Sequence, residues 1–464
     1  MKTSMPILLC AVLFFSCSKS SVPATTTTTT TTTIIPPAGN FYVQYGTPFN
    51  NVPDRQDVAI YQVNMRAFSA TGNFAGVIAR LDSIKALGIN TVYLMPIFPV
   101  GNLNSVNSPY CVKDYTAVST EFGTLTDLRA LVDGAHNRNM CVILDWVANH
   151  TAWDNPWIYA HRDWYLQDGS GNILSPPGTG WNDVAQLNFS NAGMRVEMIK
   201  YMKQWVYNAN VDGFRCDYAD GPPADFWQQA IDTMRNISTH KLLLLAEGNR
   251  SSNYSVGFDF NFGFSFYGIL KGIYSSNQSV QTIDALNTSE YNTASNGQQI
   301  VRYTSNHDVN GSDGTPLVLF GGATGSMGAF VIAAYMKGVP MIYNGQEVGT
   351  PYRLVFPFTG ADIDWSLNPS MKEEYKRIMA FRNSSIALRR ANPASYSSAD
   401  ICAFTKTSGT DNVFVAVNTR NAVINYVLPA AVANATWTDA MSGAVVNLNT
   451  QITLQAYGYI VFKK

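Results

Sequence analysis

From residue 58 to about residue 345 the chain alternates short, almost wholly apolar runs with longer stretches whose apolar residues recur three and four positions apart. Eight of the short runs read as strands: VAIYQVNM from Val58, NTVYLMP from Asn90, MCVILD from Met140, VDGFRCD from Val211, KLLLLAE from Lys241, GFDFNF from Gly257, IVRYTS from Ile300 and VPMIYN from Val339. An apolar run without polar alternation suits a strand covered on both faces, as in a parallel sheet. The intervening stretches FAGVIARLDSIKALG, LTDLRALVDGAHNRN and AGMRVEMIKYMKQWVYN carry the helical period, with Gly or Asn near their ends. Strand then helix, eight times over, predicts an α/β fold: a parallel (β/α)8 barrel.

Two departures from that rhythm add parts. Residues 150–191, after the third strand, are longer than an ordinary strand-to-helix loop and predict an inserted subdomain that helps build a cleft. After about Asn392 the helical period stops, and alternating runs such as DNVFVAVNT, VINYVLP and ITLQAYGYIVFKK predict an antiparallel β-sandwich. The expected plan is a barrel over 40–391 and a sandwich over 392–464.

The opening segment belongs to neither. Lys2 precedes PILLCAVLFF, which is too short to span a bilayer as a mature helix and reads as the core of an export signal. The run ends at FFSCSKSS, where small Ser16 before Cys17 resembles the lipobox of bacterial lipoproteins, with Phe14 where Leu is commonest. The expectation is a signal over 1–17 with lipid on Cys17; an ordinary cleaved secretory signal is the alternative. Nine threonines, Thr25–Thr33, followed by IIPPAGN, make 18–39 a linker without core-forming residues. Such a chain would be exported and held at a membrane by its anchor.

Charge and composition narrow the partners. Charged residues are 14% of the chain and the net charge is −1, so no basic face exists to neutralise phosphates, and nucleic acid is excluded as a partner. The 24 Tyr, 24 Phe and 9 Trp lie among many Asn, Ser, Thr and Gly, a mixture that suits sugar rings, whose faces are apolar and whose edges are polar. A large aromatic core accounts for the same numbers. Cys111, Cys141, Cys216 and Cys402 are widely spaced, with no CxxC pair or Cys/His cluster, which argues against zinc or thiol redox chemistry.

Against this frame four acids share one position. Asp145, Asp217, Glu247 and Asp308 each follow an apolar run where a strand would end, and Asp217 and Glu247 are 30 residues apart, one strand–helix–strand step. In a parallel barrel they would converge on the rim at the carboxyl ends of the strands. Paired carboxylates there suit cleavage of glycosidic bonds. Any one of them alone is more often a helix cap than a catalyst; it is the set of four that points to chemistry.

DWVANH, GFRCD, the glutamate after LLLLA, and SNHD resemble, in order and spacing, the four signature regions of the α-amylase family, glycoside hydrolase family 13. The flanking phrases IYQVNMRAFS, LMPIFPVG, SPYCVKDYTAVSTEFGT and GVPMIYNGQE are similar to its barrel elements, and the likeness runs from about Asp57 to the end. It implies a TIM barrel and a retaining hydrolase of α-1,4-glucosidic bonds in starch-like glucans and maltodextrins. By the resemblance Asp217 is the nucleophile, Glu247 the general acid/base and Asp308 the third acid that grips the distorting sugar. Arg215 would lie close to the nucleophile and keep it ionised while Glu247 holds a proton. His150 and His307 would hydrogen-bond sugar hydroxyls, Tyr110 would stack on the ring, and Asp145 and Asn149 would support the site. Trp146, Trp153, Trp157, Trp164 and Trp181 are candidates for further sugar subsites or for the core.

The pattern also departs from the family. Asp220 and Gly221 stand where many members have Lys and His, and VAQLN puts Gln186 where LPDLN has a carboxylate. Of the side chains that hold the family's structural calcium Asn149 remains, with Asp183 as a candidate to compensate; the chemistry itself requires no cofactor. The open alternatives are a cyclomaltodextrinase- or neopullulanase-like, α-1,6-acting or glucosyl-transferring enzyme, and, in another class, a tethered glucan-binding protein on a disabled barrel.

Overall fold

The computed structural model describes residues 42–360 and 362–464; the segments expected as an export signal with Cys17 and as a linker lie outside the described residues. The eight apolar runs are the strands of one closed parallel barrel: β1 (Ile60–Val63), β2 (Thr91–Leu94), β3 (Cys141–Trp146), then, after a short ribbon β4 (His150–Ala152) and β5 (Val184–Gln186), β6 (Gly213–Cys216), β7 (Leu243–Ala246), β8 (Phe260–Phe262), β9 (Gln299–Tyr303) and β10 (Val339–Tyr343). Around the barrel they run β1-β10-β9-β8-β7-β6-β3-β2, so chain neighbours are spatial neighbours throughout. Every barrel strand is buried along its whole length, which is why the runs show no polar alternation.

Helices return the chain between strands. The helix Leu125–His136 opens on a capping box, the Asp127 N–H donating to Thr124 Oγ1 (3.3 Å) and the Thr124 N–H to Asp127 Oδ2 (2.8 Å). Ala192–Ala209 buries Met194, Met198, Met202 and Trp205 along one face and stops where Asn210 turns left-handed. The stretch predicted as one helix from Phe74 is two, Phe74–Ile78 and Leu81–Ala86, broken at Ala79 and Arg80. Gly213 opens β6 at φ +146°, and a Cβ there would sit 1.9 Å from the Leu243 carbonyl oxygen, so only glycine permits this strand pairing.

The insertion is the antiparallel ribbon β4–β5, with His150 opposite Gln186 and Ala152 opposite Val184, packed through Trp157 against Tyr115 and Trp164. The C-terminal part is β11 (Ala394–Ser395), β12 (Ile401–Ser408), β13 (Asp411–Asn418), β14 (Ile424–Val427), β15 (Ala435–Asp439), β16 (Val445–Leu448), β17 (Gln451–Leu454) and β18 (Tyr459–Lys463). Six of these form the antiparallel sheet β11-β12-β13-β18-β15-β16, and β14 pairs with β17, an arrangement of sandwich type. Alternation on β13 divides two cores. Val413, Val415 and Val417 join the barrel's core, while Phe414 and Ala416 pack with Trp437, Leu448 and Leu454. The four cysteines of the described residues are free and buried. Among those residues no helix is long and apolar enough to cross a membrane.

Candidate active site

Strand ends decide which acids meet. β6 ends at Cys216 and β7 at Ala246, so Asp217 and Glu247 are the first residues beyond adjacent strands, and Cys216 is in register with Ala246. Asp145 is the second-last residue of β3, in register with Arg215. Asp308 follows β9, in the first turn of the helix His307–Ser312, where Asn306 Oδ1 accepts from the N–H groups of Asp308 (3.0 Å) and Val309 (2.8 Å). The acids therefore share the carboxyl-end rim, where barrel chemistry resides.

Arg215 is the hub. Its wholly buried guanidinium places Nη1 2.7 Å from Asp145 Oδ1 and 2.9 Å from Asp217 Oδ1, and Nη2 in ion-pair contact with Glu247 Oε1 at 2.5 Å. Glu247 Oε2 accepts the main-chain N–H of Tyr218 at 2.7 Å. Aiming that N–H inward puts Tyr218 at φ +42°, a conformation an aromatic residue adopts only under constraint. Burial, and after it the Glu247 carboxylate, push the Asp217 acid well above the usual carboxylate range, against the pull of Arg215. Arg215 is shared among three carboxylates, so its charge does not fully offset the loss of water at any one of them.

A hydrogen-bonded chain fixes the sugar-facing side. The Gln62 amide nitrogen lies 2.7 Å from His307 Nδ1, which leaves Nε2 to carry the hydrogen toward the Tyr110 hydroxyl at 2.7 Å; that hydroxyl in turn donates to Asp145 Oδ2 at 3.1 Å. Tyr93 donates to the same oxygen at 2.6 Å. Burial lowers both His150 and His307 to about 4, so both are neutral donors and acceptors at neutral pH. Tyr110 stacks on His307 with its own ring at the cleft wall. His307 Nε2 is also 3.2 Å from Asp308 Oδ1, and the Asp308 side chain is half exposed to the cleft.

The cleft above these groups is a cavity of 1290 Å³ that includes Asp217, Glu247, Asp308, His150, His307 and Tyr110 in its walls. Of the five tryptophans considered, only Trp181 is in the wall, set edge-on to His150 and Tyr218. Trp146 and Trp157 are core, Trp164 stacks on His161 within the insertion, and Trp153 donates to the Asn182 carbonyl. Sequence reasoning missed Tyr218, Phe264, Phe356 and Phe358, which also line the cleft. Tyr218 lies in a polar loop, Phe264 opens a helix and Phe356 and Phe358 lie in the segment LVFPF, so no shared pattern marks them. It also missed Arg66, which grips Glu121 through Nε (2.7 Å) and Nη2 (2.9 Å) while Nη1 donates to the carbonyls of Asn107 (2.7 Å) and Pro357 (3.0 Å). One side chain thereby ties together the loops that carry the outer cleft wall. The departure at Asp220 also has a role: it accepts from the Asn249 N–H (3.0 Å) and the Asn253 amide (3.0 Å), joining the loops after β6 and β7. Gly221 passes so close that a Cβ would lie 2.6 Å from Asn149 Oδ1.

The residues proposed to hold calcium do not fit one. Asn149 lies opposite Leu187 at one end of the ribbon and Asp183 opposite Trp153 at the other, about 13 Å apart at the rise of a strand, so Asp183 cannot share a cation with Asn149. Asp183 instead faces the cleft. The oxygens around Asn149 already have a donor: Gln186 Nε2 is 3.0 Å from the Asn149 carbonyl, 3.0 Å from the Leu187 carbonyl and 3.4 Å from Asn149 Oδ1. The Asn149 amide donates back to Gln186 Oε1 at 3.1 Å. Calcium needs about six to eight oxygens, and the described residues contain no group of three His, Cys, Asp or Glu side chains placed to hold a metal ion.

A closed parallel barrel whose rim gathers carboxylates around one guanidinium, beneath an aromatic-walled cleft, defines a glycoside hydrolase of the barrel type. Comparison with known proteins gives the family. Residues 40–177 and 178–419 match the alpha-amylase catalytic domain. Alpha-amylase 2 of Dictyoglomus thermophilum is 26% identical over 410 residues, covering 81% of this chain and 68% of that protein. The crystal structure of an alpha-amylase from Lactobacillus plantarum shares the fold with a TM-score of 0.77 at 25% identity, covering 88% of this chain and 99% of that one. A noncanonic maltogenic alpha-amylase from Thermotoga neapolitana has a TM-score of 0.78 at 24% identity over 88% and 98%. The chain belongs to the alpha-amylase family.

Proposed function

We propose that the protein is a retaining hydrolase of α-1,4-glucosidic bonds in starch-like glucans and maltooligosaccharides. The observation that carries this reading is the single guanidinium of Arg215 spanning Asp217 and Glu247 on the floor of an open cleft. Asp217 attacks the anomeric carbon, forming an ester bond there as the bond to the leaving oxygen breaks, and Glu247 gives that oxygen its proton. Water then attacks the same carbon, returns a proton to Glu247 and frees Asp217. The first step needs Asp217 ionised to attack and a proton on Glu247 to give to the leaving oxygen. Asp308, His150 and His307 hold ring hydroxyls, and Tyr110 packs on the sugar at the scissile bond.

Digestion of soluble starch, maltoheptaose, pullulan and cyclodextrin tests the reading, with release of reducing sugar from the first two expected. No release from any of the four would support the glucan-binding alternative instead. Preference for cyclodextrin or pullulan would move the activity to the cyclomaltodextrinase- or neopullulanase-like variant. Retention is read from the product anomer by NMR, where first-formed α product is expected.

Export with a lipid on Cys17, carrying the barrel on the 18–39 linker outside the cytoplasm, belongs to the same proposal and rests on the FFSCSKSS segment. Palmitate labelling in a bacterial host should mark the wild type and not Cys17→Ala.

A further inference from the structure

Where the C-terminal sheet meets the barrel, at the end opposite the cleft, a second cavity of 370 Å³ carries four cationic side chains in its wall: Lys337, Arg389, Arg390 and Lys406. No Asp or Glu is among the described residues that line it. Each cation comes from a different turn of the fold or an adjacent pair. Lys337 precedes β10, Arg389 and Arg390 end the helix Ile386–Arg390, and Lys406 lies on β12.

Two further cations stand behind the wall. Arg302 and Arg382 are wholly buried, and Arg382 Nη2 donates to the carbonyl of Gln56, itself a wall residue. Acidic partners are fewer. Asp57 is shared by Arg389 and Arg390, Asp54 by Arg390 and Lys241, and Glu290 pairs with Arg302. Donors are left over: Arg382 Nη1, Arg389 Nε, and both Nε and Nη1 of Arg302 have no hydrogen-bond partner. Lys406, 2% exposed, has only the carbonyls of Tyr335 and Leu388 as acceptors.

Six cations against three carboxylates, with Arg302, Arg382 and Lys406 out of water, is an arrangement that buried charge does not tolerate without a counter-charge. We propose that this cavity is a binding site for a small oxyanion of the phosphate class, which bridges the barrel to the C-terminal sheet. The planar donor forks of Arg389 and Arg390 and the point charges of Lys337 and Lys406 match the tetrahedral oxygens of such an ion. Burial, then Arg382, Arg302 and Lys337, hold the Lys406 ammonium well below its ordinary range, and an anion beside it would reverse that. The cleft chemistry takes no part in this site.

Titration of inorganic phosphate into the full chain, at constant ionic strength set with sodium chloride, tests it. Saturable one-to-one binding is expected, with a rise in Tm of about 2 °C at saturation. The variant Lys337→Gln/Arg390→Gln, and Lys337→Gln alone as a milder one, should bind at least tenfold and a few-fold more weakly, with starch hydrolysis unchanged. Competition with glucose 1-phosphate separates the sources: displacement identifies a sugar-borne phosphate as an occupant, and its failure identifies the free ion. Non-saturable binding, a Tm rise equalled by chloride at the same ionic strength, or equal affinity in the variants would overturn the assignment.

Discussion

The main-chain N–H of Tyr218 donates to Glu247 Oε2 at 2.7 Å, from a backbone turned to φ +42°. The residue after the proposed nucleophile thus positions the proposed acid, and it does so across two adjacent strand ends. Arg215 holds the other oxygen of the same carboxylate. Both oxygens of Glu247 are therefore fixed by groups that never leave the scaffold, which leaves its orientation little freedom.

Because Glu247 is proposed to protonate the leaving oxygen, its removal should matter in proportion to how much help that oxygen needs. Glu247→Gln keeps a side chain of the same shape beside Arg215 and Tyr218. Turnover of maltoheptaose should fall about 10²- to 10⁴-fold. Turnover of an aryl maltoside with an acidic phenol as leaving group should fall much less. Equal losses on both substrates would show that Glu247 acts otherwise.

Burial of His150 and His307 predicts an acid limb of stability. Their folded-state values are lowered to about 4, against 6.5 in the unfolded chain. Between those limits the unfolded chain binds more protons than the folded one, so stability rises with pH through that window and is lost as pH falls through it. Each histidine accounts for up to about 3 kcal/mol below pH 4. Urea titrations from pH 7 to 4.5 should give a flatter pH dependence for His150→Asn and His307→Asn than for the wild type. Parallel curves would assign the acid limb to other groups.

The barrel was legible because its strands are buried on both faces: short apolar runs such as LLLLA, alternating with helical stretches through the chain, suit strands of a parallel sheet. Acids at the ends of such runs were legible for the same reason, since the end of a strand is also the rim. The helix Gly322–Tyr335 was not, because it is buried from Gly325 to Tyr335, wedged between barrel and C-terminal sheet, and so has no polar face to give a period. Phe356 and Phe358 were not legible as cleft residues, since a loop has no periodicity to say which way a ring turns. Nor was the sharing of Arg215: the motif puts it beside Asp217 but does not show that Asp145 and Glu247 contact the same guanidinium.

Arg66 should act on substrate reach rather than on chemistry. It is nearly buried and contacts no proposed catalytic group, yet it joins Glu121, Asn107 and Pro357. Arg66→Lys keeps the charge and loses the fork that makes three attachments. Stability should fall by about 2 kcal/mol, and KM for long maltooligosaccharides should rise several-fold with kcat on a short aryl maltoside little changed. A loss confined to kcat would mean that the loops do not depend on this side chain.

The Gln186 amide nitrogen donates to the oxygens around Asn149 that a cation would otherwise bind, and metal removal should expose the difference. Its nitrogen supplies hydrogen-bond donors to the carbonyls of Asn149 and Leu187, satisfying them and holding the strand that carries His150. EDTA should therefore leave the wild-type Tm unchanged. In Gln186→Asp the same carbonyls face a carboxylate and lose their donor, at a cost of about 1–3 kcal/mol. That carboxylate, the carbonyls and Asn149 Oδ1 then form an oxygen cluster, so millimolar calcium should raise the variant's Tm and have no effect on Gln186→Leu. A wild-type Tm that falls in EDTA and recovers with calcium would refute the substitution of amide for ion. An unresponsive Gln186→Asp would mean that the site lacks oxygens beyond those near Asn149.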